Sequence, residues 1–200
     1  MGEIIYMEKP DWISWKDVQE CIYLSHQTNK KKGFEMLNSN ISAKELEENL
    51  KDGHCFVALD DSKVVGTASS LIKKVGKWWT LDKVLYHCYD GILPSYRGTD
   101  VYLELGKLRK MYDEKSGVKI CQFHTAESNK TVIRINLKKG YKLVQFAPTG
   151  KGANYYSVTM VKWDDGCPFP EWFVKFMFIL SRFVSKTFLT PEYKFKFWFK

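Results

Sequence analysis

Apolar residues along the chain recur with two different periods, and each switch between the periods marks the border of an element. Residues 4–7 read as a short first strand. Between residues 15 and 26, Val18, Ile22 and Leu24 fall among the apolar positions of a helix, and Ser14 stands where a hydroxyl can cap its first amides. Ser42 followed three positions later by Glu45 is a capping box, and Leu46 and Leu50 carry a second apolar stripe until Gly53. Residues 55–59 and 64–71 are strand-like runs flanking Asp60, Asp61, Ser62 and Lys63, a turn composition that predicts an antiparallel hairpin. Residues 84–93 form the next strand, which Pro94 ends because proline has no amide hydrogen to pair.

In the second half, Val101, Leu103, Leu105, Leu108, Met111 and Tyr112 settle into spacings of three and four, which predicts a helix over 101–115. Residues 118–123 are strand-like. Val132, Ile133, Ile135 and Leu137 place a helix over 129–139 that Gly140 ends, and residues 141–146 and 155–162 close the series as two strands. After the first strand and two leading helices the order is β-β-β-α-β-α-β-β, a mixed α/β sheet.

Composition narrows the class without changing the pattern. Two hundred residues, 44% of them hydrophobic and 27% charged, suit one packed domain with an appendage and exclude a disordered chain. The formal net charge of +8 favours encounter with anions such as nucleotides or acidic lipid surfaces. Lysine and arginine are scattered, with the densest runs at residues 30–32 and at Lys194, Lys196 and Lys200, so most of this charge reads as solvated surface. Cys21, Cys55, Cys88, Cys121 and Cys167 form no CxxC pair, which gives neither a zinc site nor a disulfide framework and fits reduced thiols in a cytoplasm; no metal is expected. The first twelve residues lack the basic segment and apolar stretch of a secretory signal.

The stretch from Ile92 to Tyr102 carries the candidate chemistry, because there a strand ends in a tight loop that opens directly into a helix. The first amides of a helix have no partner within it, and the aligned peptide dipoles place about half a positive charge there, so a pyrophosphate can accept several bonds at once. Gly98 lets backbone approach phosphate closely, and Arg97 adds a cation. This loop, Pro94-Ser95-Tyr96-Arg97-Gly98, resembles that of the GNAT N-acetyltransferase family. So do the strand ending near Thr125, Asn129, and the Lys138-Lys139-Gly140-Tyr141 turn.

The resemblance covers residues 4–163 and is strongest over 86–144. It implies a mixed, largely antiparallel sheet flanked by helices, with acetyl-CoA as co-substrate lying where the 84–93 strand splays from the 118–123 strand. Ile92 and Leu93 would pair with the pantetheine arm, the loop amides of Arg97, Gly98, Thr99, Asp100, Val101 and Tyr102 would hold the pyrophosphate, and Asn129 would steady the arm from the other side. The family implies transfer of an acetyl group to a primary amine of a small molecule or protein. Three departures stand out: Asp100 and Tyr102 replace the family's small residues, and Asn136 stands near the place of the tyrosine that protonates the departing thiolate. Backbone donors survive such substitutions, and direct attack of an amine needs mainly positioning and a proton acceptor. Strand alternation puts Val84, Tyr86, Cys88 and Asp90 on one face and His87 and Tyr89 on the other. By family position the first face looks toward the acyl group, and Tyr86, Asp90 and His124 are the candidate proton handlers. The alternative is a domain that keeps the fold and acts as a binding module.

At residue 164 the composition changes, separating a domain of residues 1–163 from a tail of 164–200. Pro170 suits the start of a helix whose Trp172, Phe173, Phe176, Met177, Ile179, Leu180, Phe183, Val184 and Phe188 make a broad apolar stripe, interrupted by Lys175, Ser181, Arg182, Ser185 and Lys186. Two readings of residues 170–200 stay open. The helix packs on the domain or on a second copy in a homodimer, with Phe195, Phe197 and Phe199 as one face of an added strand. Otherwise it lies in a bilayer interface and makes a cytoplasmic protein peripheral at the membrane. Nucleic-acid binding is not expected, since charge and aromatics alone support it.

Overall fold

A computed structural model describes residues 3–31, 40–149 and 156–188, in two compact units of residues 1–119 and 120–200. In the first unit, strands β1 (Ile5–Glu8), β2 (Gly53–Asp60), β3 (Lys63–Lys74) and β4 (Lys83–Ile92) follow one another in space as in sequence, each antiparallel to the next. The β2–β3 turn has the composition expected of a hairpin but no glycine; Asp61 and Ser62 take left-handed angles, with φ of 46° and 71°. Two such residues in succession give the mirror-image turn whose twist matches that of the strands it joins.

Helix α1 (Trp15–Lys31) starts where expected and runs five residues past position 26. Its start is a reciprocal cap: the Asp17 amide donates to Ser14 Oγ over 3.2 Å, and the Ser14 amide donates to the Asp17 carboxylate over 3.1 Å. Helix α2 (Ala43–Asn49) carries the predicted Ser42–Glu45 capping box. Helix α3 (Val101–Ser116) ends on Gly117, left-handed at φ 68°. Helix α1 packs on β3 and β4, whereas α3 packs on β1, β2 and β3. Val18 and Ile22 of α1, Leu46 of α2, Val57 and Val65 of the sheet, and Val101 and Leu105 of α3 are all buried in one cluster.

The two helices lie on opposite faces of this sheet, as two glycines record. A Cβ on Gly66 would stand 2.7 Å from Val101 Cγ1 of α3, and one on Gly91 would stand 2.7 Å from Ser25 Oγ of α1. Between them the ladder is irregular. Thr67 pairs with Gly91 and Ser69 with Cys88, so Tyr89 and Asp90 together stand against Ala68 alone, and Tyr89 takes φ 55°. This β-bulge corrects the strict alternation read from the sequence, because an extra residue reverses every side chain beyond it. Asp90 leaves the face of Tyr86 and Cys88 and reaches Arg109 of α3, on the same side as His87. Tyr89 hydrogen-bonds Asn49 at the end of α2.

The second unit has strands β5 (Ile120–Ala126), β6 (Lys142–Pro148) and β7 (Tyr156–Trp163), with β7 antiparallel to both others in the order β5-β7-β6. Val144, Phe146, Val158, Met160 and Val161 are buried. Asn129 caps helix α4 (Lys130–Lys138), and Gly140 follows it at φ 89°. Helix α5 (Glu171–Phe188) packs along β6, the outermost strand. Its serines face that strand: the Phe146 amide donates to Ser181 Oγ over 3.0 Å, and Ser185 Oγ donates to the Phe146 carbonyl over 2.9 Å. Edge-strand polar groups that would otherwise template another chain are thus taken up by helix hydroxyls. The extra strand expected at residues 195–199 lies outside the described residues.

Gly66 sets how closely α3 approaches the sheet. Gly66→Ala is expected to destabilise the chain by about 1–3 kcal/mol, since Val101 and Leu105 must both give way. Thermal denaturation checks this, and an unchanged midpoint would mean that α3 has slack on the sheet.

Candidate functional site

The loop after β4 is built almost entirely from its own backbone. Leu93 extends the ladder by one bond, its amide donating to the Val65 carbonyl over 2.9 Å. Pro94–Tyr96 then form a single 3₁₀ turn, in which the Tyr96 amide donates to the Leu93 carbonyl and the Arg97 amide to that of Pro94. The turn is held from outside at two points. Tyr96 donates its hydroxyl to Asp60 Oδ2 over 2.5 Å, and the Arg97 guanidinium donates to the Ser25 carbonyl of α1 over 2.6 Å. Arg97 therefore ties the loop to α1 besides bringing a positive charge to it.

Gly98 has φ 81° and open space around its Cβ direction, so the left-handed conformation, not crowding, calls for glycine there. Thr99 Oγ1 donates to the Tyr96 carbonyl over 2.6 Å and accepts from the Val101 amide over 3.4 Å. Val101, the first residue of α3, is buried, while Gly98, Asp100 and Tyr102 are exposed. The earliest backbone bond joining the loop to the helix is Glu104 amide to Asp100 carbonyl, 2.9 Å, so the amides of residues 101–103 precede the helical ladder. Asp100 holds the N-cap position with helical angles, φ −73° and ψ −4°, and its side chain makes no capping bond. Two carboxylates, Asp100 and Glu104, stand at this helix start, and Lys107 pairs with the second over 2.5 Å.

Of the proton-handling candidates, Asp90 is committed: both its oxygens lie 2.8 Å from Arg109 Nη1. Burial pushes the Tyr86 phenol well above its usual range, so it stays an O–H donor at neutral pH, with Lys73 Nζ 4.4 Å from the ring centroid. Beside Asp90, His87 Nε2 stands 3.0 Å from Asp113 Oδ2, and Ser70 Oγ is 3.5 Å from the other oxygen of Asp113. Burial, then the Arg109 charge, holds His87 below the ordinary imidazole range, and together they outweigh Asp113, which acts the other way. Arg109 and Asp113 were not singled out from the sequence; their spacing of four on one helix face was the available signal.

In the second unit, His124 Nδ1 lies 2.9 Å from Thr159 Oγ1 and Nε2 lies 3.3 Å from Gln122 Nε2, with Gln122 and Thr159 buried. The Gln122 amide donates to Nε2, which leaves Nδ1 to carry the proton toward Thr159. Asn129 turns Oδ1 to the Val132 amide over 3.4 Å and Nδ2 to Thr125 Oγ1 over 3.3 Å, which joins the end of β5 to the start of α4. Asn136 is buried and donates to the Val132 carbonyl of its own helix over 2.9 Å. Ile92, Leu93 and residues 97–102 thus form one continuous site segment in the first unit, with Tyr86 and Asp90 on its leading strand. His124 and Asn129 belong to the second unit.

No family model and no curated protein matches the sequence. Solved structures do. A GNAT-family acetyltransferase from Streptococcus pneumoniae superposes with a TM-score of 0.58 at 14% identity, over 80% of this chain and 99% of that one. A GNAT-family acetyltransferase from Staphylococcus aureus Mu50 gives 0.59 at 14% identity, over 81% and 99%. The fold is that of the GNAT acetyltransferases. The NatC complex bound to Gag peptide and CoA matches likewise, at a TM-score of 0.61 and 9% identity, over 80% of this chain and 98% of that chain. In this GNAT-fold chain, β4, its bulge, the 3₁₀ turn and α3 follow one another without an intervening insertion.

His87 offers a test of the electrostatics beside the bulge. Its folded pKa lies below the unfolded value near 6.5, so the unfolded chain binds the proton more readily. The stabilisation is therefore complete above about pH 6.5 and declines as pH falls through that value. The melting temperature of the wild type is expected to drop more between neutral and mildly acidic pH than that of His87→Gln. Parallel pH profiles would contradict this assignment.

Proposed function

We propose that this chain is an acetyltransferase that passes an acetyl group from acetyl-CoA to a primary amine of a small molecule or protein. The observation that carries the reading is the left-handed Gly98 set between the end of β4 and the first amides of α3. That arrangement presents successive N–H groups and the positive end of a helix to one anion, which suits the pyrophosphate of a coenzyme A. A solved structure of the same fold holds CoA, which supports the choice of anion. Ile92 and Leu93 supply the strand end along which a pantetheine arm would run, and Asn129, besides capping α4, is the candidate to steady it.

The reaction is direct attack. The amine nitrogen adds to the thioester carbonyl, the C–S bond breaks, one proton leaves the nitrogen and one reaches the departing thiolate. Tyr86, kept protonated by burial, suits donation toward sulfur and not proton abstraction. Asp90 can accept a proton only at the expense of its bond to Arg109. His124 is the candidate acceptor, and it would take a proton at Nε2 by giving up its bond from the Gln122 amide. With Asn136 bonded into its own helix, no role in proton transfer is assigned to it.

One observation favours a second reading, a fold retained for binding without transfer: Asp100 and Glu104 already place negative charge at the helix end that an anion would use. Calorimetry with acetyl-CoA separates the two. Gly98→Asp, which adds a charge and a strained backbone, is expected to weaken binding by about tenfold or more. Asp100→Asn is expected to strengthen it by about two- to fivefold, equivalent to the 0.3–1 kcal/mol of one charge at a helix end. Absence of binding by the wild type and by Asp100→Asn alike would overturn the acetyltransferase reading.

A further inference from the structure

Helix α5 has one face fixed against the protein and an opposite face that is largely exposed. Val174 and Ser185 are 5% and 3% exposed, and the bonds from Ser181 and Ser185 to Phe146 set the rotation of the helix on β6. The opposite side presents Trp172, Phe176, Ile179 and Phe183, exposed by 69%, 53%, 64% and 60%. Their spacings of four, three and four make one continuous stripe along the helix. A contiguous apolar patch of this kind marks an interaction surface.

We propose that this stripe is a membrane-binding surface that lies in the headgroup region of an anionic bilayer. No described helix is long and apolar enough to cross a membrane. A helix with a wide apolar face and cations at its margins is instead suited to lie in the interface plane. Helix α5 carries one acid, Glu171, against Lys175, Arg182 and Lys186; Lys175 pairs with Glu171 over 2.8 Å, Arg182 with Glu127 over 3.3 Å, and Lys186 lies over the Phe146 and Tyr156 rings, so the attraction to an anionic surface rests on the net positive charge of the chain. Charge decides between lipid and a second copy. Pairing two such faces across a two-fold axis would bring like cations together on chains that each carry +8, whereas an anionic leaflet attracts them. Trp172, the most exposed of the four, is of the type that favours the membrane–water boundary.

The test is co-sedimentation of the full chain with vesicles of phosphatidylcholine and phosphatidylserine, against vesicles of phosphatidylcholine alone. The chain is expected to sediment with the anionic vesicles and to bind the neutral ones, or the anionic ones at high salt, about tenfold more weakly. Phe176→Ser with Ile179→Ser removes two exposed side chains without touching the serine contacts. It is expected to lower retention by about tenfold while circular dichroism and thermal midpoint stay unchanged. Three results would each overturn the proposal: no retention on anionic vesicles, retention unaffected by the double substitution, or a dimer in solution that the same substitutions convert to a monomer.

Discussion

Only a glycine fits where β4 passes under α1. A Cβ at position 91 would stand 2.7 Å from Ser25 Oγ and 3.2 Å from the Ile22 Cα, so a side chain paired with Thr67 would have to displace the Ser25 hydroxyl and press on the backbone of α1. In a regular ladder continuing from Cys88, Asp90 would face Thr67, and its carboxylate would enter that crowded face. The bulge prevents this by setting Tyr89 and Asp90 together against Ala68. Asp90 is delivered to Arg109, Gly91 to α1 and Ile92 to the side of α3. The left-handed Tyr89 costs of order 1 kcal/mol or more, against which stands its bond to Asn49. The direction in which the strand leaves the sheet, and hence where the loop and the start of α3 are placed, follows from this arrangement.

The loop meets opposite electrical demands. A helix N-terminus is stabilised by acids, and Asp100 and Glu104 provide them; the same positive end is what an anionic ligand would use. Because the donors are backbone amides, an acidic side chain changes the strength of such a site without removing it. Arg97 contributes in a comparable double sense, since its guanidinium anchors the loop to α1 through Ser25 as well as carrying charge. In the second unit, Ser181 and Ser185 turn a long aromatic helix into a cover for the edge of β6, which fixes the face that stays exposed.

Much of this was legible in the chain, for physical reasons that differ by element. The cap at Ser14, the capping box at Ser42 and the terminating Gly140 act through local backbone, so residue type and spacing suffice to find them; Gly117, which ends α3, is a signal of the same kind that was not read. The turn that leads from β4 into α3 was legible for the same reason: glycine before a helix start is a local signal. The bulge was not, because Tyr89 and Asp90 carry no glycine or proline, and the cause lies at Ser25, far away in sequence. Asp90 therefore read as a free carboxylate on the face of Tyr86, while the pairs Asp90–Arg109 and His87–Asp113 depend on α3 crossing the sheet. Ser181 and Ser185 read as interruptions of an apolar stripe, since their partner is one backbone residue of an edge strand. The exact reach of α1 beyond residue 26 was missed because polar residues continue the helix after the apolar stripe stops.

The central claim is that the backbone between Gly98 and the first turn of α3 receives the pyrophosphate of acetyl-CoA. Amide hydrogen exchange with and without acetyl-CoA tests it most directly, because the proposed contacts are the exchanging groups themselves. The account predicts slowed exchange concentrated at residues 98–103, with α5 unaffected. Binding that leaves these amides unprotected, or that protects another part of the chain in their place, would contradict it.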